Sequence, residues 1–279
     1  MSQEESVREF ILDSQFRLDP KSLKKYKYIV CQFLAYAGKP LPAITKSDIR
    51  AWLGHLKEKG YKPNTLASSL TGLRTFFKYC VEEGLTHQNP AAEIPIPRVG
   101  EKLPYYLTLE QLNMFRRLLE GRLMDRAILE LLYSTGVRIS EMCAMNKEDF
   151  DWSERTILIP NGKWKKGRIV HFTLECGEHL KSYLDSRTDD LPYVFLALRM
   201  KDRPLHRSTV GMHYRYYAKT LEFKVTPHTL RHTFAAHLAQ KGMPLNCIQN
   251  LLGHIDPNQT RTYARLYNQA RKGKYDEIM

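Results

Sequence analysis

The last fifth of the chain carries His228-Thr-Leu-Arg231-His232, Leu252-Gly253-His254 and Tyr263, and an upstream arginine, Arg138, lies in Thr135-Gly-Val-Arg-Ile-Ser-Glu141. A guanidinium forks onto two oxygens of one phosphate, an imidazole donates or relays protons near neutral pH, and a positioned phenol is a nucleophile. Together these residue types describe transesterification of a phosphodiester. Such an ester resists attack because its negative charge repels nucleophiles and its leaving alkoxide is poor. A site that breaks it must neutralise the phosphoryl oxygens and protonate the departing oxygen. Arg138 and Arg231 suit the first task, since a planar guanidinium stays charged and bonds two oxygens at once.

The spacing adds to this. His228 and Arg231 stand three apart behind Pro227, which puts both on one face of a helix, within reach of one phosphate. Glu141 stands three residues beyond Arg138, where it forms an ion pair that also holds the guanidinium in its fork geometry. Tyr263 follows the turn Gly253-His-Ile-Asp-Pro257. A phenol, with an ordinary pKa of about 10, needs adjacent cations or a base to attack. Tyr267, one helical turn later, is the alternative among 16 tyrosines. Lys163, in the basic run Lys163-Trp-Lys-Lys-Gly-Arg168, can protonate a leaving oxygen, and Lys165 and Lys166 compete for that role. His228 and His232 also have the i, i+4 spacing of a zinc site, with His237 further on, but no glutamate follows His228 and no third ligand is evident, so no metal is expected.

These residues need elements to position them. The first part predicts four helices, over residues 6–16, 20–37, 45–60 and 63–84. The signals are Asp19-Pro20 as cap and first helical residue, Thr45-Lys-Ser-Asp48 as a capping box, and Gly38, Gly60 and Gly84 as stops. Residues 89–104 carry four prolines and no periodicity, which predicts a linker. Beyond it come a helix opened by the capping box Thr108-Leu-Glu-Gln111, an apolar helix over 123–134, and a third helix holding Arg138 to Ala144. Residues 155–160 and 168–172 predict a β-hairpin with a basic loop, and the chain then returns to helices, with a short apolar piece at 193–196. The expected fold is mainly α with a small β-hairpin or sheet: a helical domain over 1–97, a linker over 98–105 and an α+β domain over 106–279.

Composition bounds the partner. Lys+Arg number 43 against 30 Asp+Glu, a formal net charge of +13, and the excess is spread over both halves. That balance suits a polyanion, nucleic acid first, because neutralised phosphates release counterions. Five scattered cysteines without a Cys-x-x-Cys pair indicate neither a disulfide framework nor a zinc-thiolate site. With no apolar segment near its start and no membrane-length apolar run, the chain is expected in the cytoplasm.

The motifs, taken jointly, resemble the tyrosine recombinase (phage integrase) family, in particular its compact Xer-type members. The resemblance rests on Thr135-Gly-Val-Arg138-Ile-Ser-Glu141, Gly162-Lys163, His228-Thr-Leu-Arg231-His232-Thr-Phe, Leu252-Gly253-His254 and Tyr263, nine residues beyond that histidine, and it covers both domains. It departs from the family pattern at Trp164, where members more often have glycine. It implies that Arg138, Lys163, His228, Arg231 and His254 activate a phosphate that Tyr263 attacks, leaving a 3′-phosphotyrosyl bond and a free 5′ hydroxyl, with neither metal nor nucleotide. It further implies a two-domain C-shaped clamp on double-stranded DNA, and four protomers on two DNA sites that exchange strands through a Holliday junction. The tail from Tyr267 onward would dock on a neighbouring protomer. Resolution of dimers or cointegrates, or integration of a mobile element, is the expected role, possible partners being a related recombinase or an accessory protein. The few residues ahead of the first helix set the expectation apart from larger integrases that carry an extra arm-site-binding domain. Two rival functions share the scaffold: a type IB-like topoisomerase, and a catalytically silent DNA-binding protein.

Overall fold

The computed structural model describes residues 2–96, 103–160, 167–197, 202–254 and 256–279, and it divides into two compact units, Met1–Gly100 and Glu101–Met279. The first unit is helical throughout: α1 (Gln3–Ser14), α2 (Pro20–Ala37), α3 (Lys46–Glu58) and α4 (Pro63–Glu82). Local chemistry sets these boundaries. The Asp19 carboxylate accepts from the backbone of Lys21 and Ser22 to start α2, and Gly38 ends it in the left-handed region. Thr45 and Asp48 form the reciprocal box that opens α3. The apolar faces meet in an aromatic core, with Phe10 edge-on to Phe76 at 5.3 Å between ring centroids and Phe33 edge-on to Trp52 at 5.4 Å.

The second unit is mixed. After α5 (Leu109–Leu118) and α6 (Leu123–Thr135), a single turn forms α7 (Ile139–Met142). Arg138 is the residue that caps this turn, and so stands outside the helix that the sequence predicts around it. The predicted hairpin is part of a three-stranded antiparallel sheet in the order β1 (Phe150–Asp151), β2 (Thr156–Ile159), β3 (Arg168–His171). The two-residue β1 is too short to leave an alternation in the sequence. Leu158 opposite Ile169 faces solvent, and Ile157 opposite Val170 faces the core. Six helices follow: α8 (Leu174–Asp185), α9 (Arg207–Leu221), α10 (Pro227–Gln240), α11 (Leu245–Leu252), α12 (Asn258–Arg261) and α13 (Ala264–Ile278). The fold is therefore mainly α with one small sheet.

Two cores stabilise this unit. The larger joins α5, α6, α8 and α9 to the inner face of the sheet. The smaller sits beneath α10, α11 and α13 and contains Phe234, Leu252, Tyr263 and Leu266. It is this smaller core, with α6 against α10 and α13 against α10, that brings the chemistry-bearing residues to one place.

Candidate active site

Arg231 is the centre of the site. It stands on α10, whose start is sharp because Pro227 takes the first helical position and the Thr226 side chain accepts from the Thr229 backbone at 2.9 Å. Its side chain is enclosed, at 4% exposure, and bonds two helix ends at once: Nη1 donates to the Gly136 carbonyl at 2.6 Å and Nη2 to the Leu252 carbonyl at 2.7 Å. Those are carbonyls left unpaired where α6 and α11 stop. Burial, and then the neighbouring Arg138, bring its pKa down to about 10, so it remains a cation at neutral pH.

Arg168 and Arg138 complete a pattern at the same helix end. Arg168 Nε donates to the Leu251 carbonyl at 3.0 Å, and Arg138 Nη2 donates to the Gly253 carbonyl at 3.0 Å. Three consecutive carbonyls at the C-terminus of α11 thus take three guanidiniums, where the helix dipole is negative. Gly253 closes α11 with φ +63°, and a Cβ there would lie 3.1 Å from the Arg168 guanidinium. Gly136 closes α6 with φ +62°, where a Cβ would meet the Phe234 ring at 2.3 Å. Both glycines suit the left-handed backbone, and at Gly136 the Phe234 ring also leaves no room for a Cβ.

Glu141 joins the arginines. Its carboxylate accepts from Arg138 Nη1 at 2.8 Å, from the Arg138 backbone at 2.7 Å, and from Arg168 Nη1 and Nη2 at 3.0 and 2.8 Å. Burial alone would raise its pKa, but Arg168 and the Arg138 backbone outweigh it and hold the acid at about 2. Arg138 keeps 41% of its side chain exposed, against 13% for Arg168. Arg138 is therefore the open guanidinium of the group, and Arg168 is a brace. The sequence carries a signal for Arg168: it shares the inward face of β3 with buried Val170, where an unpaired charge would be costly.

The histidines lie around this centre. His254 follows α11, its Nδ1 bonded to the Thr260 hydroxyl on α12 at 2.8 Å and its carbonyl accepting from Gln249 at 3.1 Å. A threonine hydroxyl that donates to Nδ1 leaves the ring proton on Nε2. Burial, then Arg231 and Arg138, bring the His254 pKa to about 4. His228 is half-buried on the first turn of α10, and burial followed by Arg231, Lys224 and Arg138 lowers its pKa. The rings of His228 and His232 meet edge to face at 4.3 Å.

Tyr263 stands where α12 passes into α13, only 2% exposed, and its hydroxyl is 2.5 Å from His232 Nδ1. Burial pushes the phenol pKa up, a shift that Arg231 opposes. Tyr267 instead lies with Arg271 over its ring at 5.7 Å. Of the residues singled out in the sequence, Arg138, Glu141, His228, Arg231, His254 and Tyr263 are brought together. Lys163, Lys165 and Lys166 lie outside the described residues. Sequence reading passed over Arg168, His232 and Thr260 as parts of the site.

His237 does not join His228 and His232. Its Nδ1 meets the Tyr133 hydroxyl at 3.0 Å and its Nε2 the Leu107 carbonyl at 3.0 Å. Among the described residues, one group with metal-ligand geometry is Glu130, Glu175 and His179, and both of its carboxylates already pair with Arg116 and Arg126.

Three arginines at one helix end, with histidines and a buried phenol beside them, form a cationic cluster suited to a phosphodiester. The chain belongs to the phage integrase family: the family's catalytic domain matches residues 106–270 and its N-terminal SAM-like domain residues 5–87. It is a tyrosine recombinase, an enzyme that transfers DNA strands. The tyrosine recombinase XerA of Pyrococcus furiosus is 32% identical over 94% of this chain and 92% of its own length, and the tyrosine recombinase XerC of Thermodesulfovibrio yellowstonii is 35% identical over 88% and 85%. Among solved structures, that of a XerA recombinase covers 99% of both chains at 27% identity with a TM-score of 0.55. The fold is shared with a lambda integrase fragment (residues 75–356) bound as a dimer to a core site, at 20% identity, 93% and 97% coverage and a TM-score of 0.76.

Proposed function

We propose that this chain recombines double-stranded DNA site-specifically with Tyr263 as the nucleophile, through a 3′-phosphotyrosyl bond and a Holliday junction. In this reading Arg138 and Arg231 clamp the scissile phosphate, His228 and His254 donate to its oxygens, Glu141 keeps Arg138 in its fork, and Lys163 protonates the departing 5′ oxygen. The observation that carries it is the charge balance at the end of α11. Three guanidiniums converge there, Glu141 pairs with only two of them, Arg138 and Arg168, and the setting holds His254 neutral. A phosphodiester supplies the missing negative charge, and it gains most where the positive groups are already fixed. Because a phosphotyrosyl bond conserves the energy of the bond it replaces, the reaction needs neither metal nor nucleotide.

In the same reading residues 1–97 form a DNA-binding domain and residues 106–279 the catalytic domain. Four copies assemble on two DNA sites, the tail from Tyr267 onward docks on a neighbouring copy, and the enzyme works in the cytoplasm on replicons. The test is a denaturing gel. Purified protein in EDTA is incubated with nicked DNA fragments from around its own gene, and a protease-sensitive protein–DNA band is sought. A band with the natural chain that is absent with Tyr263→Phe is the expected result. A band that persists with Tyr263→Phe would refute the nucleophile assignment, and tight, salt-sensitive binding without a band on any fragment would favour a missing partner or a silent DNA-binding role.

A further inference from the structure

We infer that His232 is a positioning residue for the nucleophile, holding the Tyr263 hydroxyl to the same helix that carries the phosphate-binding pair His228 and Arg231. This rests on the reading of Tyr263 as the nucleophile.

The geometry begins with the 2.5 Å contact between the Tyr263 hydroxyl and His232 Nδ1, which joins residues 31 apart in the chain. Tyr263 follows the four-residue helix α12 and itself caps α13. A turn as short as α12 fixes an attacking atom poorly, because few backbone hydrogen bonds hold it. The imidazole offers a better anchor. His232 lies in the middle of α10, next to Arg231 and one turn beyond His228, whose ring touches its own. Phosphate anchor and nucleophile tether are therefore parts of one rigid helix, and Arg231 acts electrostatically on the Tyr263 phenol.

The direction of the bond follows from the surroundings. The enclosed phenol keeps its proton. Burial, then His228, Arg231 and Lys224, keep the His232 ring in its neutral form. In this proposal the neutral ring carries its proton on Nε2, so that Nδ1 accepts and the Tyr263 O–H donates to it. A hydroxyl fixed along its O–H bond has its lone pairs turned away from the acceptor, which leaves the oxygen oriented for attack. Orientation of this kind is worth much: a misplacement of about 1 Å can cost about 100-fold in rate.

A latch would use the same contact to opposite effect, by restraining the tyrosine until DNA arrives. The two readings differ in the sign of what removal does. The experiment measures single-turnover formation of the covalent protein–DNA band on a fragment that the natural chain cleaves, together with DNA affinity and thermal midpoint. His232→Leu is expected to slow cleavage about 10- to 100-fold with DNA binding kept, and to lower the midpoint because the buried Tyr263 hydroxyl loses its partner. His232→Asn, whose Oδ1 falls where Nδ1 was, is expected to recover most of the rate. Cleavage by His232→Leu at the natural rate or faster overturns the proposal. If Tyr263→Phe still forms the band, the nucleophile reading itself fails; if Tyr263→Phe is silent and His232→Leu is fast, only the positioning role fails. Should the leucine variant not fold, nitrogen-15 resonances of the histidine rings decide the matter without DNA. His232 is expected as the neutral Nε2–H form at pH 7, with a Nδ1 resonance that moves in Tyr263→Phe. A resonance unmoved by that change overturns the proposal.

Discussion

At Arg231 the chain buries a guanidinium almost completely and keeps it charged, because two helix ends lend it carbonyls and no acid is spent on it. Its charge stays available to a ligand. Arg231→Ala should therefore lose cleavage by at least about 100-fold, as removal of a preorganised donor does. It should also destabilise the fold by about 1–3 kcal/mol for carbonyls left without a partner. Arg231→Lys, which keeps a charge but not the fork, should restore stability better than rate. Single-turnover cleavage and urea denaturation of both variants check this. Titration offers a second test. His232 and His254 fold with pKa values of about 4, below their ordinary 6.5, so as pH falls the unfolded chain takes up protons first. Their contribution to stability is then lost between about pH 6.5 and 4. Glu141, at about 2 against an ordinary 4.5, adds a loss between about pH 4.5 and 2. Denaturation series in the two windows separate them: His254→Asn should make the first shallower, leaving the share of His232, and Glu141→Gln should flatten the second.

Among elements, the site depends on where two helices stop. Gly136 ends α6 and Gly253 ends α11, and the carbonyl of each then accepts from an arginine. Gly136→Ala would place a methyl group 2.3 Å from the Phe234 ring and force a left-handed backbone on alanine, so a loss of about 1–3 kcal/mol is expected from strain and overpacking. A thermal melt reads it directly, and an unchanged midpoint would show that α10 yields there. The sheet contributes through Arg168, which ties β3 to Glu141 and to α11. Arg168→Lys keeps the charge and breaks the bidentate bond to Glu141, so it should lower the cleavage rate with DNA affinity little changed. A fall in affinity equal to the fall in rate would instead make Arg168 a DNA contact. Much of this layer was legible beforehand: Asp19, Thr45 and Thr108 cap helices in the structure as their types and spacing require. The third strand was not, since two residues carry no alternation, and Arg138 fell outside its helix because its backbone is extended where the turn begins.

At the scale of the whole molecule, a net charge of +13 against a polyanion sets the partner and its salt dependence. DNA affinity should fall steeply between about 50 and 200 mM salt as counterion release loses its advantage. Equilibrium binding across that range measures it, and a flat response would mean that contacts other than phosphate dominate. Among the described residues no helix is long and apolar enough to cross a membrane. The sequence by itself determined the residue types, the helical frame of both units and the family, because caps, periodicity and short motifs are local and each encodes its own geometry. Only the tertiary structure decided that three arginines share one helix end, that Glu141 serves two of them, and that His232 holds Tyr263. Those are contacts between residues up to 115 apart in the chain, set by how α6, α10 and α11 pack, and no local pattern in a single sequence records them.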